Sequence, residues 1–297
     1  MKGYFSESRS VEAVNERMSE ETDPRLEEIM GKLVTHIHAF VKQVNLTEAE
    51  WMAGIEFLTR TGRICSDERQ EFILLSDTLG LSMLVDAISN RRPDGATENT
   101  VFGPFHVKGA PEYEMGKNIS LDGKGESCLF EGTIKDLQGA PIEGAELDVW
   151  SDNADGYYDV QQPDVQPKWN NRGRFITGPD GCYSFRGIKP VSYPIPSDGP
   201  VGQMLTALGR HPYRPAHMHL MVTREGFQTI VSHSFVEGDP YLADDTVFGV
   251  KQSLVASFER TPDAEGDTVW RSRFDIVMAR LGEDTNVDLR SAAADEK

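Results

Sequence analysis

The sequence is poor in the features that would place it outside the cell or in a membrane. Three cysteines, Cys65, Cys128 and Cys182, occur in 297 residues. They are far apart, odd in number and without CxxC spacing. That excludes a disulfide framework and a zinc knuckle, and it fits reduced thiols in a cytoplasmic protein. No run of about 18 apolar residues occurs, so no membrane-spanning helix is expected. Met1–Glu20 is polar and charged with no apolar centre, so no signal peptide is expected. Positive charge is scarce: 30 Lys and Arg stand against 48 Asp and Glu, a net charge of −18 with no basic run to offset it. Such a surface repels nucleic acid and anionic lipid. What is present is 38% hydrophobic and 9% aromatic residues, enough for a globular core.

The first third reads as helix. Residues 1–22 are polar and expected to fray. Asp23-Pro24 is an N-cap followed by proline at the first helical position, opening a helix to about Val44. Thr47-Glu-Ala-Glu50 is a capping box, and its helix stops near Gly62. Ser66-Asp67 starts a third helix through Phe72, Leu75, Leu79, Met83, Leu84 and Ile88. Their apolar faces could be buried in part against another subunit; the sequence does not decide that. Arg91–Thr100 is turn-rich and leads to Val101-Phe102-Gly103-Pro104-Phe105-His106, readable as a packed corner or as a ligand wall.

From about residue 118 the period becomes two. Leu129–Ile134, Ala145–Trp150, Phe175–Thr177, Cys182–Phe185, His217–Thr223, Thr229–Phe235 and the alternation Trp270 to Met278 are expected strands. The tail after Gly282 is acidic, rich in small residues and expected to be disordered. The class is α+β: an N-terminal helical region and linker over residues 1–105, then an antiparallel β-sandwich over 106–297.

One strand stands out for chemistry. In Arg214-Pro215-Ala216-His217-Met218-His219-Leu220-Met221-Val222, the apolar Met218, Leu220 and Val222 alternate with His217 and His219. Both imidazoles therefore project to one face, as a shared metal ion requires. Taken alone, the pair is equally readable as two ordinary histidines on a half-exposed strand. A second His-x-His, His36 and His38, lies at helical spacing among Leu33, Ile37, Phe40, Val41 and Val44. Residues two apart on a helix diverge by roughly 200°, so those two cannot share an ion.

Two long irregular stretches, Ser151–Asn171 and Pro190–Tyr213, precede the strand, and both carry tyrosines: Tyr157 and Tyr158 in the first, Tyr193 in the second. A free phenol has a pKa near about 10, so a tyrosine ligates at neutral pH only where a strong Lewis acid displaces its proton. Ferric iron does this well; zinc and magnesium recruit tyrosine far less often. Two phenolates also hold iron ferric, in contrast to the two-His-one-carboxylate site of Fe(II) oxygenases. A ferric centre of this kind cannot readily reduce O2. It has to activate the organic substrate, and an ortho-diphenol bound as a chelating dianion is suited to that.

Gly156-Tyr157-Tyr158, then Tyr193, then Arg214-Pro-Ala-His217-Met-His219, in this order and spacing, resemble the intradiol ring-cleaving dioxygenases. The similarity extends over nearly the whole chain, including Leu74–Gly80, Val101–Phe105 and Gly238-Asp239-Pro240-Tyr241-Leu242, and points to the hydroxyquinol-cleaving branch. The resemblance implies a non-haem Fe(III) cofactor held by Tyr158, Tyr193, His217 and His219. Tyr157 becomes a packing residue. It implies an aromatic diol or triol substrate with O2 as co-substrate. Arg214 stabilises charge on the ring, and Tyr193, displaced by substrate, accepts a proton. It further implies a pocket lined by Leu74, Asp77, Val101, Phe102, Gly103, Pro104, Phe105, Ile195, Pro196 and Val247. Asp77 is readable as an acceptor for a third ring hydroxyl or as a polar residue on the exposed side of its helix. Catechol-cleaving relatives tend to carry Gln near His233, which leaves His233 as a hydrogen-bond partner of the site or a plain strand residue rather than a fifth ligand. A homodimer through the N-terminal helices, with phospholipid lodged between them, is the implied assembly. The alternatives are a catechol or chlorocatechol dioxygenase and, since Gly132–Ala145 resembles transthyretin-like modules, a non-catalytic binding sandwich. Colour separates the last, because a tyrosinate–iron protein is red-brown.

Overall fold

The computed structural model describes residues 3–66, 69–262 and 268–283. The chain divides into two compact units, Met1–Arg63 and Ile64–Lys297.

The first unit is helical. Before the expected helices comes a short α1 (Ser10–Asn15), where fraying was expected. It forms because Ala13 is fully buried, with α1 packed on α2 (Pro24–Val44). The Asp23 carboxylate caps α2 by accepting from the N–H groups of Arg25 and Leu26, both at 3.0 Å. Asn45 ends it in the left-handed conformation, φ 49°. α3 (Glu48–Arg63) opens with the reciprocal box: Thr47 N–H donates to Glu50 at 2.9 Å, and Glu50 N–H donates to Thr47 Oγ1 at 3.3 Å. His36 and His38 ride on α2, as their spacing predicts.

The second unit begins with two helices where one was expected, α4 (Glu71–Thr78) and α5 (Leu81–Ser89). They bend by 79° at Leu79-Gly80, where Gly80 adopts φ 73°. The expected starting residue Asp67 lies outside the described residues. No single helix among the described residues is long and apolar enough to cross a membrane.

The strands are β1 (Ser127–Asp136), β2 (Glu146–Trp150), β3 (Arg172–Ile176), β4 (Cys182–Ile188), β5 (Tyr193–Pro194), β6 (Tyr213–Arg214), β7 (His217–Thr223), β8 (Ile230–Val236), β9 (Val255–Ala256), β10 (Phe258–Pro262), β11 (Thr268–Arg273) and β12 (Ile276–Met278). One sheet runs β10-β11-β1-β12 with β4 also on β1, and the other runs β3-β2-β7-β8-β9. Both are mixed, where antiparallel sheets were expected: β1 lies parallel to β11 and β12, and β8 parallel to β9. Those partners are joined by long crossovers, which free the pairing from the antiparallel order a tight hairpin imposes. The alternation from Trp270 to Met278 divides at Phe274-Asp275 because the Asp275 carboxylate takes the Thr133 N–H at 3.0 Å in place of a backbone carbonyl. The Pro190–Tyr213 stretch, expected to be irregular, contains α6 (Pro200–Ala207), with Pro200 in its first turn and Val201 and Leu205 buried. The expected tail lies outside the described residues from 284 onward.

Between the two sheets, Cys128, Phe130 and Ile134 of β1 meet Leu147, Val149, Phe175, Phe185, Met218, Leu220 and Val222. Phe185 stacks between Phe130 and Phe175, at centroid distances of 4.9 and 5.1 Å. β7 is thereby fixed by its even-numbered residues. A slip of one position would turn Met218, Leu220 and Val222 out of the core, so the same burial commits His217 and His219 to the opposite face.

Candidate metal centre

On that opposite face the two histidines converge, with Nε2 atoms 3.2 Å apart. Two nitrogens bound to one ion at about 2.1 Å stand roughly 3 Å apart at right angles, so the spacing suits a shared ion. His217 Nδ1 lies 2.7 Å from the Pro215 carbonyl. Only an N–H can bond a carbonyl, so the proton sits on Nδ1 and Nε2 keeps its lone pair. His219 is held by its ring instead. It stacks on Trp150, its register partner, at 4.7 Å and 11°. His233, opposite it on β8, meets it edge-on at 4.1 Å. Burial, with Arg214 nearby, holds His217 well below its usual pKa, and burial with His217 and Arg214 does the same for His219. Both rings are neutral and ready to ligate.

The 151–171 loop returns to its own base, where Ser151 N–H donates to the Asn171 carbonyl at 3.1 Å and Asn171 Nδ2 donates to the Asp152 carbonyl at 2.9 Å. Its turn buries Tyr158 completely and leaves Tyr157 exposed. Tyr158 Oη lies 2.9 Å from His219 Nε2 and 3.4 Å from Tyr193 Oη. Tyr193 pairs with Arg214 in the two-residue sheet of β5 and β6, so the second tyrosine and the arginine are set by one local contact. Gly156 allows the two loops to close. It sits at φ 81°, and a methyl group there would stand 3.0 Å from Tyr193 Cβ. Asp239 ties the remaining ends: its carboxylate accepts from Ser192 Oγ and, at 3.0 Å, from Ala216 N–H, the neighbours of Tyr193 and His217.

Four donor atoms thus form one run, Tyr193 Oη, Tyr158 Oη, His219 Nε2 and His217 Nε2. Burial raises both phenols above the usual tyrosine pKa, with Arg214 pulling each the other way. Phenolate forms there only against a strongly acidic cation.

Arg214 is 4% exposed. Its Nε and Nη2 donate to the two oxygens of Asp245, each at 3.3 Å, and its Nη1 lies 3.3 Å from His217 Nε2. Burial opposes its charge, but Asp245 and Tyr193 outweigh that and keep it firmly protonated. Leu74 and Val101 pack against buried Ile195, Leu205 and Val247. Phe105 stacks on Tyr158 at 4.4 Å, and Gly103 backs onto the His219 ring, 3.1 Å from Cε1 to where its Cβ would be. Phe102 leans on His106 and Trp150, one ring removed from His219. Pro104 and Pro196 are exposed on the loops that carry Phe105 and Ile195. Asp77 is half-buried; burial raises its pKa, Ser82 and Arg214 oppose the rise, and Asp245 adds to it. It therefore senses the Arg214–Asp245 pair.

His233 is fully buried, its ring stacked 4.5 Å from His217, and neither nitrogen makes a hydrogen bond of good geometry. Among the described residues, His217, His219 and His233 form the cluster of three His, Cys or carboxylate groups able to meet at one ion. Sequence reasoning missed Trp150, Asp239 in its bridging role and Asp245. Trp150 closes an expected strand, yet only the β2–β7 register reveals that it underlies His219.

Known proteins resemble this chain along most of its length. The family model described as "Catechol dioxygenase N terminus" matches residues 23–97, and the one described as "Dioxygenase" matches residues 101–280. A hydroxyquinol 1,2-dioxygenase of Rhizobium sp. (strain MTP-10005) is 55% identical over 286 residues, covering 94% of this chain and 97% of the relative. A 6-chlorohydroxyquinol 1,2-dioxygenase of Cupriavidus pinatubonensis is 46% identical, covering 92% and 98%. The solved structure of a hydroxyquinol 1,2-dioxygenase from Pseudomonas putida DLL-E4 superposes with a TM-score of 0.87 at 46% identity, covering 92% and 97%. With both halves of the chain matched and the Tyr–Tyr–His–His geometry in place, the protein belongs to the intradiol ring-cleaving dioxygenases.

Proposed function

We propose that this chain is a hydroxyquinol 1,2-dioxygenase, opening 1,2,4-trihydroxybenzene between its two adjacent hydroxylated carbons with O2. Both oxygen atoms enter the product, 3-hydroxy-cis,cis-muconate, which tautomerises to maleylacetate. The observation that carries the reading is the buried run of two phenol oxygens and two imidazole nitrogens beside a protonated arginine. Tyr158, Tyr193, His217 and His219 would hold a non-haem ferric iron, which would supply the Lewis acidity needed to deprotonate a chelating diol and activate its ring.

The chain's own groups do the rest. Tyr193 Oη, at one end of the donor run, is placed to take a substrate proton, and burial, which raises its proton affinity, favours that transfer. Arg214 presents fixed positive charge where negative charge builds on the ring. Leu74, Val101, Ile195 and Val247 hold the flat ring and exclude water. Asp77 accepts a hydrogen bond from the third hydroxyl, which catechol lacks. Removing an acceptor that the substrate was selected to satisfy costs about 1–3 kcal/mol. Asp77→Ala is thus expected to lower kcat/KM on hydroxyquinol by about 10- to 100-fold and on catechol by less than about threefold. Equal losses on both substrates would remove Asp77 from selectivity, and a wild-type preference for catechol would overturn the substrate.

In this reading residues 1–105 serve assembly and lend one pocket wall, and residues 106–297 carry the metal centre. The apolar faces of α2 and α3 support a homodimer: Ile37, Phe40 and Trp51 are 49%, 55% and 53% exposed. A phospholipid fits such a face chemically. Light scattering is expected to give twice the chain mass; a monomer at micromolar concentration would refute the dimer. The three cysteines, Cys65, Cys128 and Cys182, odd in number and far apart in the chain, accord with a cytoplasmic enzyme.

A further inference from the structure

We propose that Asp245 is the positioning residue of the reaction, holding Arg214 and the pocket wall as one unit; this rests on the function proposed above. Asp245 is 5% exposed and all of its acceptor capacity is committed within the protein. Oδ1 accepts from Arg214 Nε and from Val247 N–H, both at 3.3 Å. Oδ2 accepts from Arg214 Nη2 at 3.3 Å and from Gly249 N–H at 2.9 Å. A carboxylate so occupied is a poor base for substrate. Its effect passes through what it holds.

Three things are held. The first is the guanidinium, gripped along its Nε–Nη2 edge, so that Nη1 alone projects towards His217. The second is Val247, whose backbone is bonded to the same oxygen as Nε and whose side chain lies in the pocket wall. The third is reached through Gly249: its carbonyl accepts from Thr100 Oγ1 at 2.7 Å, and Thr100 precedes the wall residue Val101. Two wall residues from distant parts of the chain and the arginine are therefore registered against one carboxylate.

Gly249 reports on the same site independently. A methyl group added there would stand 2.9 Å from Arg214 Nη2 and 3.1 Å from Asp245 Oδ2. Its backbone lies outside the left-handed region, so what keeps this position small is the seat of the guanidinium rather than a turn.

The test is a double-mutant cycle on full-length, iron-loaded protein with hydroxyquinol as substrate: wild type, Asp245→Asn, Arg214→Gln and the double variant. Asp245→Asn is expected to lower kcat by about 10- to 100-fold, the usual loss for an outer partner of a reactive group, with KM changed less than about threefold. The visible tyrosinate–iron band of the resting enzyme stays in place. The double variant loses no more than Arg214→Gln alone. Additive losses, or a resting band that falls in step with kcat, overturn the proposal. If Asp245→Asn does not fold, Gly249→Ala enters the same cycle, because it displaces the guanidinium sterically and leaves every charge in place. A wild-type protein that cleaves neither hydroxyquinol nor catechol defeats the functional reading itself, whereas an active wild type with an additive cycle defeats only the role of Asp245.

Discussion

Tyr158→Phe is expected to leave a folded, nearly colourless protein that retains little iron and turns over at most about a thousandth as fast as wild type, a larger loss than the 10- to 100-fold typical of an outer partner. The ring itself is unchanged in shape. Its stack on Phe105 at 4.4 Å and its complete burial survive the substitution, so the melting temperature should move little. What goes is the Oη atom 2.9 Å from His219 Nε2 and 3.4 Å from Tyr193 Oη, the centre of the donor run. The remaining donors are two neutral imidazoles and the Tyr193 phenol, whose pKa burial raises. With one anionic ligand instead of two, a trivalent cation is poorly neutralised in a dry site. Metal analysis and the visible spectrum read the outcome together. Tyr157→Phe is the matched control: Tyr157 is 46% exposed, and its loss should leave iron content and colour intact. A full-strength band in Tyr158→Phe, or its loss in Tyr157→Phe, would reassign the first ligand.

That contrast marks how far the sequence could be read. The His217–His219 pair was legible because a strand repeats every two residues, and the same three apolar side chains that announce the strand also set its facing. α2 and α3 were legible through their caps, which are local hydrogen bonds written in consecutive residues. The bend at Gly80 was not, since a glycine within an apolar period can be tolerated inside a helix or can end one. α6 escaped because its eight residues include a glycine, begin with Pro200 and follow Ser197-Asp198-Gly199, the grammar of a loop. The parallel neighbours of β1 escaped for a different reason. β11 and β12 arrive from more than a hundred residues away, and nothing in either segment encodes which neighbour it will find.

The site divides in the same way. The candidate donor types were legible from their chemistry, because few metals recruit two phenols, while the choice of Tyr158 over Tyr157 came from the family resemblance. The groups that aim the ligands were not. Trp150 under His219, Asp239 between Ser192 and Ala216, and Asp245 on Arg214 are each ordinary residues at ordinary positions. Each is defined by register or loop closure, which are properties of the folded chain alone. His233 lies between these cases. Its place opposite His219 follows from the hairpin register, but a buried imidazole without a well-formed hydrogen bond is visible only in the structure.

The second large effect is expected where the first tyrosine is anchored. Asp159 follows Tyr158 directly and is 6% exposed; Arg172, 1% exposed, reaches it with Nε and Nη2, both at 2.6 Å from Oδ1. The same carboxylate accepts the N–H groups of Val160 at 2.9 Å and Trp169 at 3.0 Å, closing the loop on itself. Arg172 lies opposite Trp150 on β3, and Trp150 lies opposite His219, so one row across the sheet connects the ion pair to His219 of the candidate metal centre. Asp159→Asn keeps the shape and removes the charge, leaving a guanidinium buried without its partner. Breaking a buried pair on one side costs about 3–5 kcal/mol, which for a chain of this size is on the order of 10 °C in melting temperature. Iron affinity should fall with it, because Tyr158 sits on the loop that Asp159 closes. Arg172→Met in the same chain is expected to restore part of the stability, since a buried apolar side chain no longer needs the carboxylate, while iron affinity stays low. That split between recovered melting temperature and unrecovered iron is what distinguishes a charge left unpaired from a loop left open. An Asp159→Asn protein that melts within about 2 °C of wild type and keeps its colour would show that the loop is held by its backbone bonds alone.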